Sequence, residues 1–553
     1  MSSNLPPSQP PYGSQPPSQP PFGSQPPQGP PAPELLDAQG GTALGAPPRS
    51  GSGGRKGLLI GGGVVARALV GGGAWAAMSF VSTGAQPAEA LPASTLGYVS
   101  VDLDPSGGQK IEALQTLNKF PKFQDSVGVD SDDDLRQRIF DLVQEDDTCT
   151  DLDFAQDVDP WLGNRAAVAA VEDADGAPQP VVVIQVTDAD AAEAGLEAIK
   201  ACGADEDAAS GEDTGWVVEG DWAVVAPTEE LARSVSDDAA EAHLADDATY
   251  QKWTGETGAA GVMTMYAAPA AAASALEELG DSEGLPDQAR RQLEDFKGFA
   301  ATVRFTDGSL ELEAAGSAPA DAAGVLGGSS VSEQVATLPD DTAAAFGISL
   351  DEGWGDGALD QLAGALGAEM SAEDLVAEFE TATGLSVPAD IEVLTSGGVV
   401  VAVGPGLDVE ELANSADPSQ VPVALKLSGD ADAINEVVAT LAAQVPGEAD
   451  VVESTTEGDT VVLGPDAAYR AEVAAGGNLG DTEDFSRVVP DAESPVVCYL
   501  NVNAFESSLE TVLAGSEGAE QVQANIEPLS SIGISTSNEG DVSRFVLRVG
   551  TDD

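Results

Sequence analysis

The sequence predicts an α+β fold: two tandem related domains with largely antiparallel sheets, following a disordered tail and one transmembrane helix. Three observations lead there. Residues 91–316 and 338–553 read as two copies of one unit, short apolar runs alternate with helical stretches across polar turns in each copy, and an apolar Gly-rich run precedes both. One copy opens Leu91-Pro92-Ala93-Ser94-Thr95-Leu96-Gly97-Tyr98-Val99-Ser100-Val101-Asp102-Leu103, and the other Leu338-Pro339-Asp340-Asp341-Thr342-Ala343-Ala344-Ala345-Phe346-Gly347-Ile348-Ser349-Leu350. Thr187-Asp188-Ala189-Asp190 answers Ser428-Gly429-Asp430-Ala431-Asp432, and Glu219-Gly220-Asp221 answers Glu457-Gly458-Asp459. Near the end, the strand pair from Phe299 to Glu313 answers that from Ile532 to Leu547. A repeat sorts residues: what both copies keep is scaffold, and what one copy alone carries is a candidate for specialisation.

Residues 1–57 form the tail. Pro10-Pro11-Tyr12-Gly13-Ser14-Gln15-Pro16-Pro17 returns as Pro20-Pro21-Phe22-Gly23-Ser24-Gln25-Pro26-Pro27, a composition too poor in apolar surface to fold and read as an extended spacer. Residues 58–82 are expected to cross a membrane. The run Leu58 to Val81 holds a single charge, Arg67, and at ~1.5 Å per residue a helix of this length spans a ~30 Å hydrocarbon core. Arg55 and Lys56 precede it, so the positive-inside rule leaves the tail cytoplasmic and exports the bulk of the chain. Arg67 opposes insertion by roughly 2.5–3.5 kcal/mol if central. The alternative to a retained anchor is cleavage near Ala88-Glu89-Ala90 as a late signal peptide.

Each copy, 84–316 and 338–553, then repeats one order across a Gly/Ser/Ala linker at 317–337. A strand (Leu96–Leu103; Ala343–Leu350) leads to helical stretches such as Lys110–Lys119 and Asp133–Val143. Apolar strands follow (Ala166–Val171 and Val181–Val186; Val399–Val403 and Val421–Leu427), then a helix (Ala189–Lys200; Ala431–Ala442). Two short strands flank the Glu-Gly-Asp turn. Another strand (Gly261–Tyr266; Pro495–Val502), helices and the closing strand pair end the unit.

Formal charge is −72, and the first 83 residues, with four basic and two acidic side chains, contribute none of the excess. Such a polyanion repels nucleic acid and anionic lipid headgroups, which excludes both as partners of the exported part. The acid excess reads as solubility; the sharper alternative is calcium. Asp102-Leu103-Asp104-Pro105-Ser106-Gly107 resembles the first half of a calcium loop, but Ala113 stands where the loop needs an acid. Asp130, Asp132 and Asp134 lie in an acidic run at a helix start. These five aspartates are the metal candidates; no other cofactor is expected.

Cys149 and Cys202 occur in the first copy only and are the natural pair in an oxidising compartment; a disulfide there would close a long loop, worth roughly 2–4 kcal/mol. Cys498, in an apolar strand, reads as an inert thiol. Gly280-Asp281-Ser282-Glu283-Gly284 matches the short nucleophile-elbow pattern, but a helical stretch precedes it and the second copy has Gly515-Ser516-Glu517-Gly518 at the same helix end, so it reads as a turn. His243, the only histidine, lies among carboxylates and reads as exposed. Trp161, in Asp157-Val158-Asp159-Pro160-Trp161-Leu162-Gly163, reads as a core anchor, with a ligand-facing ring as the alternative.

The opening Leu91 to Leu103, Lys119-Phe120-Pro121 and the Asp157–Gly163 motif, behind a Pro/Gln/Gly-rich tail and a Gly-rich span, resemble a family of actinobacterial membrane proteins known only as a domain of unknown function. The resemblance covers most of residues 50–553. It implies a membrane-anchored, outward-facing protein and brings no activity or catalytic residue; Arg67 departs from the apolar span usual there.

The expectation is therefore a single-pass protein of the cell envelope with a non-catalytic binding or structural role, an envelope protein or glycan partner, and a ligand groove between the two copies. A calcium-dependent module and a carboxylate-based hydrolase are the alternatives.

Overall fold

The computed structural model describes residues 85–103, 107–126, 136–137, 140, 144, 152–204, 214–279, 287–318, 325–327, 331–351, 353–355, 372–407, 418–444, 453–490, 493–506, 508–509 and 518–552. The predicted tail and span lie outside them; among the described residues no helix is long and apolar enough to cross a membrane.

Among the described residues, sixteen strands form the framework. The first eight are β1 (Gly97–Asp102), β2 (Leu162–Glu172), β3 (Pro178–Val186), β4 (Gly215–Glu219), β5 (Trp222–Ala226), β6 (Met263–Ala267), β7 (Phe299–Thr306) and β8 (Ser309–Ser317). The second eight are β9 (Ala344–Ile348), β10 (Val399–Val403), β11 (Val423–Ser428), β12 (Ser454–Glu457), β13 (Thr460–Leu463), β14 (Val496–Asn501), β15 (Leu529–Glu539) and β16 (Val542–Thr551). The predicted α+β class holds, but not as two separate sheets. All sixteen strands belong to one sheet, in the order β12-β13-β11-β10-β9-β14-β15-β16-β8-β7-β6-β1-β2-β3-β5-β4. Every pairing is antiparallel.

Read outward from its middle, the order is the same on both sides: β8-β7-β6-β1-β2-β3-β5-β4 in one half, β16-β15-β14-β9-β10-β11-β13-β12 in the other. Two closing hairpins therefore meet edge to edge. Open sheets rarely exceed ~10 strands; this one does because one half-sheet supplies the neighbour that the other's exposed edge needs. The outer edges stay short, β4 with five residues and β12 with four.

The repeat extends to side chains. Leu91 and Leu338 are fully buried, as are Leu244 and Leu479. Asp247 accepts from the Thr249 and Tyr250 amides to cap the helix Ala248–Glu256, and Thr482 caps Glu483–Val488 through the Phe485 amide. Tyr250 then meets Tyr266 edge-on, ring centroids 5.1 Å apart, as Phe485 meets Tyr499 at 5.1 Å. The Gly220 and Gly458 positions of the two Glu-Gly-Asp hairpins have φ of 60° and 59°, a left-handed conformation that glycine adopts without strain.

Helices cover both faces. In the first half, Tyr98, Ala167, Val183, Val224 and Tyr266 pack on one face under the helices Glu229–Glu241 and Ala248–Glu256. On the other, Val182 and Ile184 meet the helix Ala189–Ala204. Trp161 sits there, 2% exposed, its Nε1 donating to the Asp157 carbonyl at 2.7 Å, so it is the expected core anchor. A Cβ on Gly195 would come 2.1 Å from that nitrogen, which explains a glycine in mid-helix. In the second half, Lys426 occupies a buried β11 position in register with Val400, and Val400 pairs with Gly347. Burial lowers its pKa, and Nζ donates to the Gln334 carbonyl and Thr337 Oγ1 just past the helix Val331–Ala336. That helix lies in the segment read as a linker; Val331 and Val335 are fully buried in the second core.

The central joint has nine registered pairs, from Val542↔Ser317 to Gly550↔Ser309. Val542, from the second half, packs in the first core with Ala300 and Ala315. Among the described residues, lysines and arginines reach across from both sides. Arg548 pairs with Glu311, and Arg544 with Glu256. Lys252 and Lys297 lie 3.6 and 3.7 Å from Asp541 and hold its carboxyl below the usual range. Lys119 Nζ donates to Thr551 Oγ1 at 3.1 Å. Glu311 is the buried member, its side chain 3% exposed, with Arg304 Nη2 2.5 Å from Oε1 while Arg548 takes Oε2. Removing one partner of a buried pair costs about 3–5 kcal/mol because the other charge is stranded. Glu311→Ala should therefore lower unfolding free energy by about 3 kcal/mol in urea titration, whereas a change below about 1 kcal/mol would deny the cluster that role.

Candidate functional site

Of the metal candidates, Asp102 is described; Asp104, Asp130, Asp132 and Asp134 lie outside the described residues. Asp102 ends β1 on the same face as Tyr98 and Ser100. Directly across, in register, β2 places Arg165. Arg165 Nε donates to Asp102 Oδ2 at 2.8 Å, with side chains 4% and 10% exposed. A guanidinium at that distance supplies the positive charge this carboxylate needs. Arg165 Nη1 also donates to the Ala85 carbonyl at 2.6 Å. The pair forms one wall of a cleft of about 60 Å³, closed by Gln86, Pro87 and Thr264. That volume suits water rather than an organic ligand. The second half has no such pair: Ser349 follows Ile348 where Asp102 follows Val101, and Gly398 precedes Val399 where Arg165 precedes Ala166.

What Arg165 holds is the entering chain. Pro87–Ala90 forms a single 3-10 turn, with Gln86 and Glu89 closing a capping box. Ala88 is fully buried and Ala90 8% exposed, both in the first core with Leu91. No residue of this turn could be found from apolar periodicity, because two small alanines carry the contact.

A larger cleft, about 300 Å³, opens beside the joint on the second half. Its floor is apolar: Val502, Leu509 and Ile526. Its rim is polar: Asn503, Glu506, Gln523, Glu527 and Asp552. Asn503 Nδ2 donates to Asp552 Oδ1 at 3.1 Å, and the Asp552 carbonyl accepts from Lys119 of the first half. This cleft is not the groove expected between the copies, since all its lining residues belong to the second half. None of them was singled out from sequence; they are surface-type residues with no motif spacing.

Cys498 lies on β14 between Phe346 and Ile534, and burial pushes its thiol pKa up, as an inert thiol requires. Cys149 lies outside the described residues, as does the side chain of Cys202, whose backbone is in the last turn of the helix Ala189–Ala204. The Gly280–Gly284 turn also lies outside. His243 is half-buried, with Nε2 3.2 Å from Asp246 Oδ2, rather than fully exposed. Among the described residues no three His, Cys, Asp or Glu side chains converge as a metal site.

The duplicated strand order in one antiparallel sheet and the buried Asp102–Arg165 latch define a class of mixed α+β protein built on an internal repeat. The family model described as "Protein of unknown function (DUF3352)" matches residues 58–549, and the chain belongs to that family. No curated protein matches it.

Asp102→Ala strands Arg165 in the core rim. It should cost about 3 kcal/mol and make the backbone near Ala85 sensitive to protease in limited proteolysis; an unchanged digestion pattern would remove Arg165 as the latch.

Proposed function

We propose that this chain is a membrane-anchored protein of the cell envelope whose exported part is a non-catalytic binding and structural platform, its anchor retained and its tail cytoplasmic. The observation that carries the reading is the insertion of residues 85–91 into the first core. Cleavage near Ala88-Glu89-Ala90 would remove or cut Ala88 and Ala90 from the packed interior and leave Arg165 without the Ala85 carbonyl. A folded chain therefore protects this segment, and the apolar run 58–82 stays joined to it.

Support for a binding role comes from the rigid, continuous sheet and from a cleft whose volume reaches the lower end of small-molecule sites. Catalysis by carboxylates needs one acid held protonated near neutral pH. Among the described residues, Glu112 is the carboxyl that burial and the nearby Asp307 raise, and it lines neither cleft. The calcium-dependent reading keeps only the aspartates beyond Asp102.

Mass spectrometry of the membrane-extracted protein, with a C-terminal tag, tests the anchor. The expected N-terminus lies upstream of residue 58, and externally added protease should digest the sheet domain of intact cells once the wall is removed. An N-terminus at or after Ala85, or full protection from external protease, would contradict the proposal.

A further inference from the structure

The register of the central joint maps onto itself when the two halves are exchanged. Both closing hairpins turn on two residues, Thr306 pairing with Ser309 and Glu539 with Val542. Ser309 therefore answers Val542, and each later residue of β8 answers the residue equally far along β16. The inner strands give the same match from Tyr266 and Tyr499. Tyr266 pairs with Ala300 and Ala300 with Ala315, as Tyr499 pairs with Gly533 and Gly533 with Arg548. In the joint, Val542↔Ser317 sets the first position of one strand against the ninth of the other, Gly550↔Ser309 does the reverse, and Val546↔Glu313 sets fifth against fifth. A contact in which i meets j and j meets i is that of a two-fold dimer. The backbone of the joint is thus the contact that two identical units would make.

Side chains break the identity. On one face of the joint, Glu311, Glu313 and Ala315 of β8 stand where β16 has Arg544, Val546 and Arg548. Arg304 serves Glu311 and Glu313 from within the first half, which also offers Glu256 to Arg544. A second β8 in this register would set Glu313 directly against its own counterpart. A second β16 would set Arg544 against Arg548 twice. Like charges directly opposite destabilise a strand pair, and Glu311, 2% exposed, lies where water does not screen them. Pairing β8 with β16 instead sets Arg548 opposite Glu311 and brings Arg544 to Glu256.

We infer that the joint is a two-fold contact between copies of one unit on which segregated charge admits only the opposite half. β8 accepts a β16 edge, from its own chain or from a second copy of this chain, and neither edge accepts its own kind. Fusion keeps the internal partner at high effective concentration, so the closed single chain is the resting form, and a second copy takes the surface when the internal pairing is barred. Nothing in this pairing depends on the anchor or on a ligand.

Charge-exchange variants of the full-length protein, purified in detergent and sized by light scattering, test this. E256R/E311R makes the first half's side of the joint basic, and R544E/R548E makes the second half's side acidic. Each variant alone sets like charges across its own joint and is expected to lose the parent's single thermal transition without forming dimers of itself. Co-expressed with different tags, the two are expected to co-purify one to one at twice the monomer mass, because the altered halves match each other and the unaltered halves pair as before. The four-site variant E256R/E311R/R544E/R548E is expected to return to a monomer with the parent's transition, a rescue that separates charge pairing from simple misfolding. Homodimers of either two-site variant, or two-site variants that keep the parent's transition, would overturn the inference. So would a four-site variant that stays unfolded, or a co-expressed pair that does not combine although the four-site chain folds.

Discussion

The pairing of β8 with β16 is the constraint on which the rest depends. Each half-sheet ends in a long hairpin with an unpaired edge, and such an edge is a template for association with any passing strand. Here each edge meets the other in nine registered pairs. Register is fixed by charge: Glu311 lies between Arg304 and Arg548, and a slip of one residue would turn these side chains to the opposite face. Around this buried cluster the exposed pairs of Asp541 with Lys252 and Lys297 contribute little individually, but they place scarce bases at a seam in a chain of charge −72, where acids on both sides would otherwise repel.

Fusion of the halves frees each to diverge. Burial of Leu91 and Leu338, the capped helices and the aromatic pairs below them are kept. Among the described residues the first half holds a charged latch, Asp102 with Arg165, against the backbone at Ala85. Among the described residues the second half holds a buried lysine, Lys426, in its core.

Much of the architecture was legible because it is periodic. Val399–Val403 is a strand as read, and the strands around Glu219-Gly220-Asp221 and Glu457-Gly458-Asp459 fall where alternation and the glycine turn put them. Union into one sheet was not legible: β8 and β16 show ordinary amphipathic alternation, and no local signal says that an edge strand's partner lies in the other copy. The helix Val331–Ala336 was hidden by its Ser- and Ala-rich surroundings, because two valines suffice to bury it. At the candidate sites, Asp102 was singled out for a calcium loop through its spacing to Asp104, whereas its partner is set by cross-strand register with a residue far along the chain. The larger cleft joins residues that follow β14, the end of the helix Ala519–Ile526 and Asp552 after β16, a set that only the fold assembles.

The account stands on the two halves being one structural unit, and differential scanning calorimetry of the full-length protein in detergent measures that directly. One transition whose calorimetric enthalpy equals its van't Hoff enthalpy is the predicted result, since unfolding either half exposes the other's central edge. Two resolved transitions, or a van't Hoff enthalpy near half the calorimetric value, would mean that β8 and β16 separate freely and that the halves are independent domains.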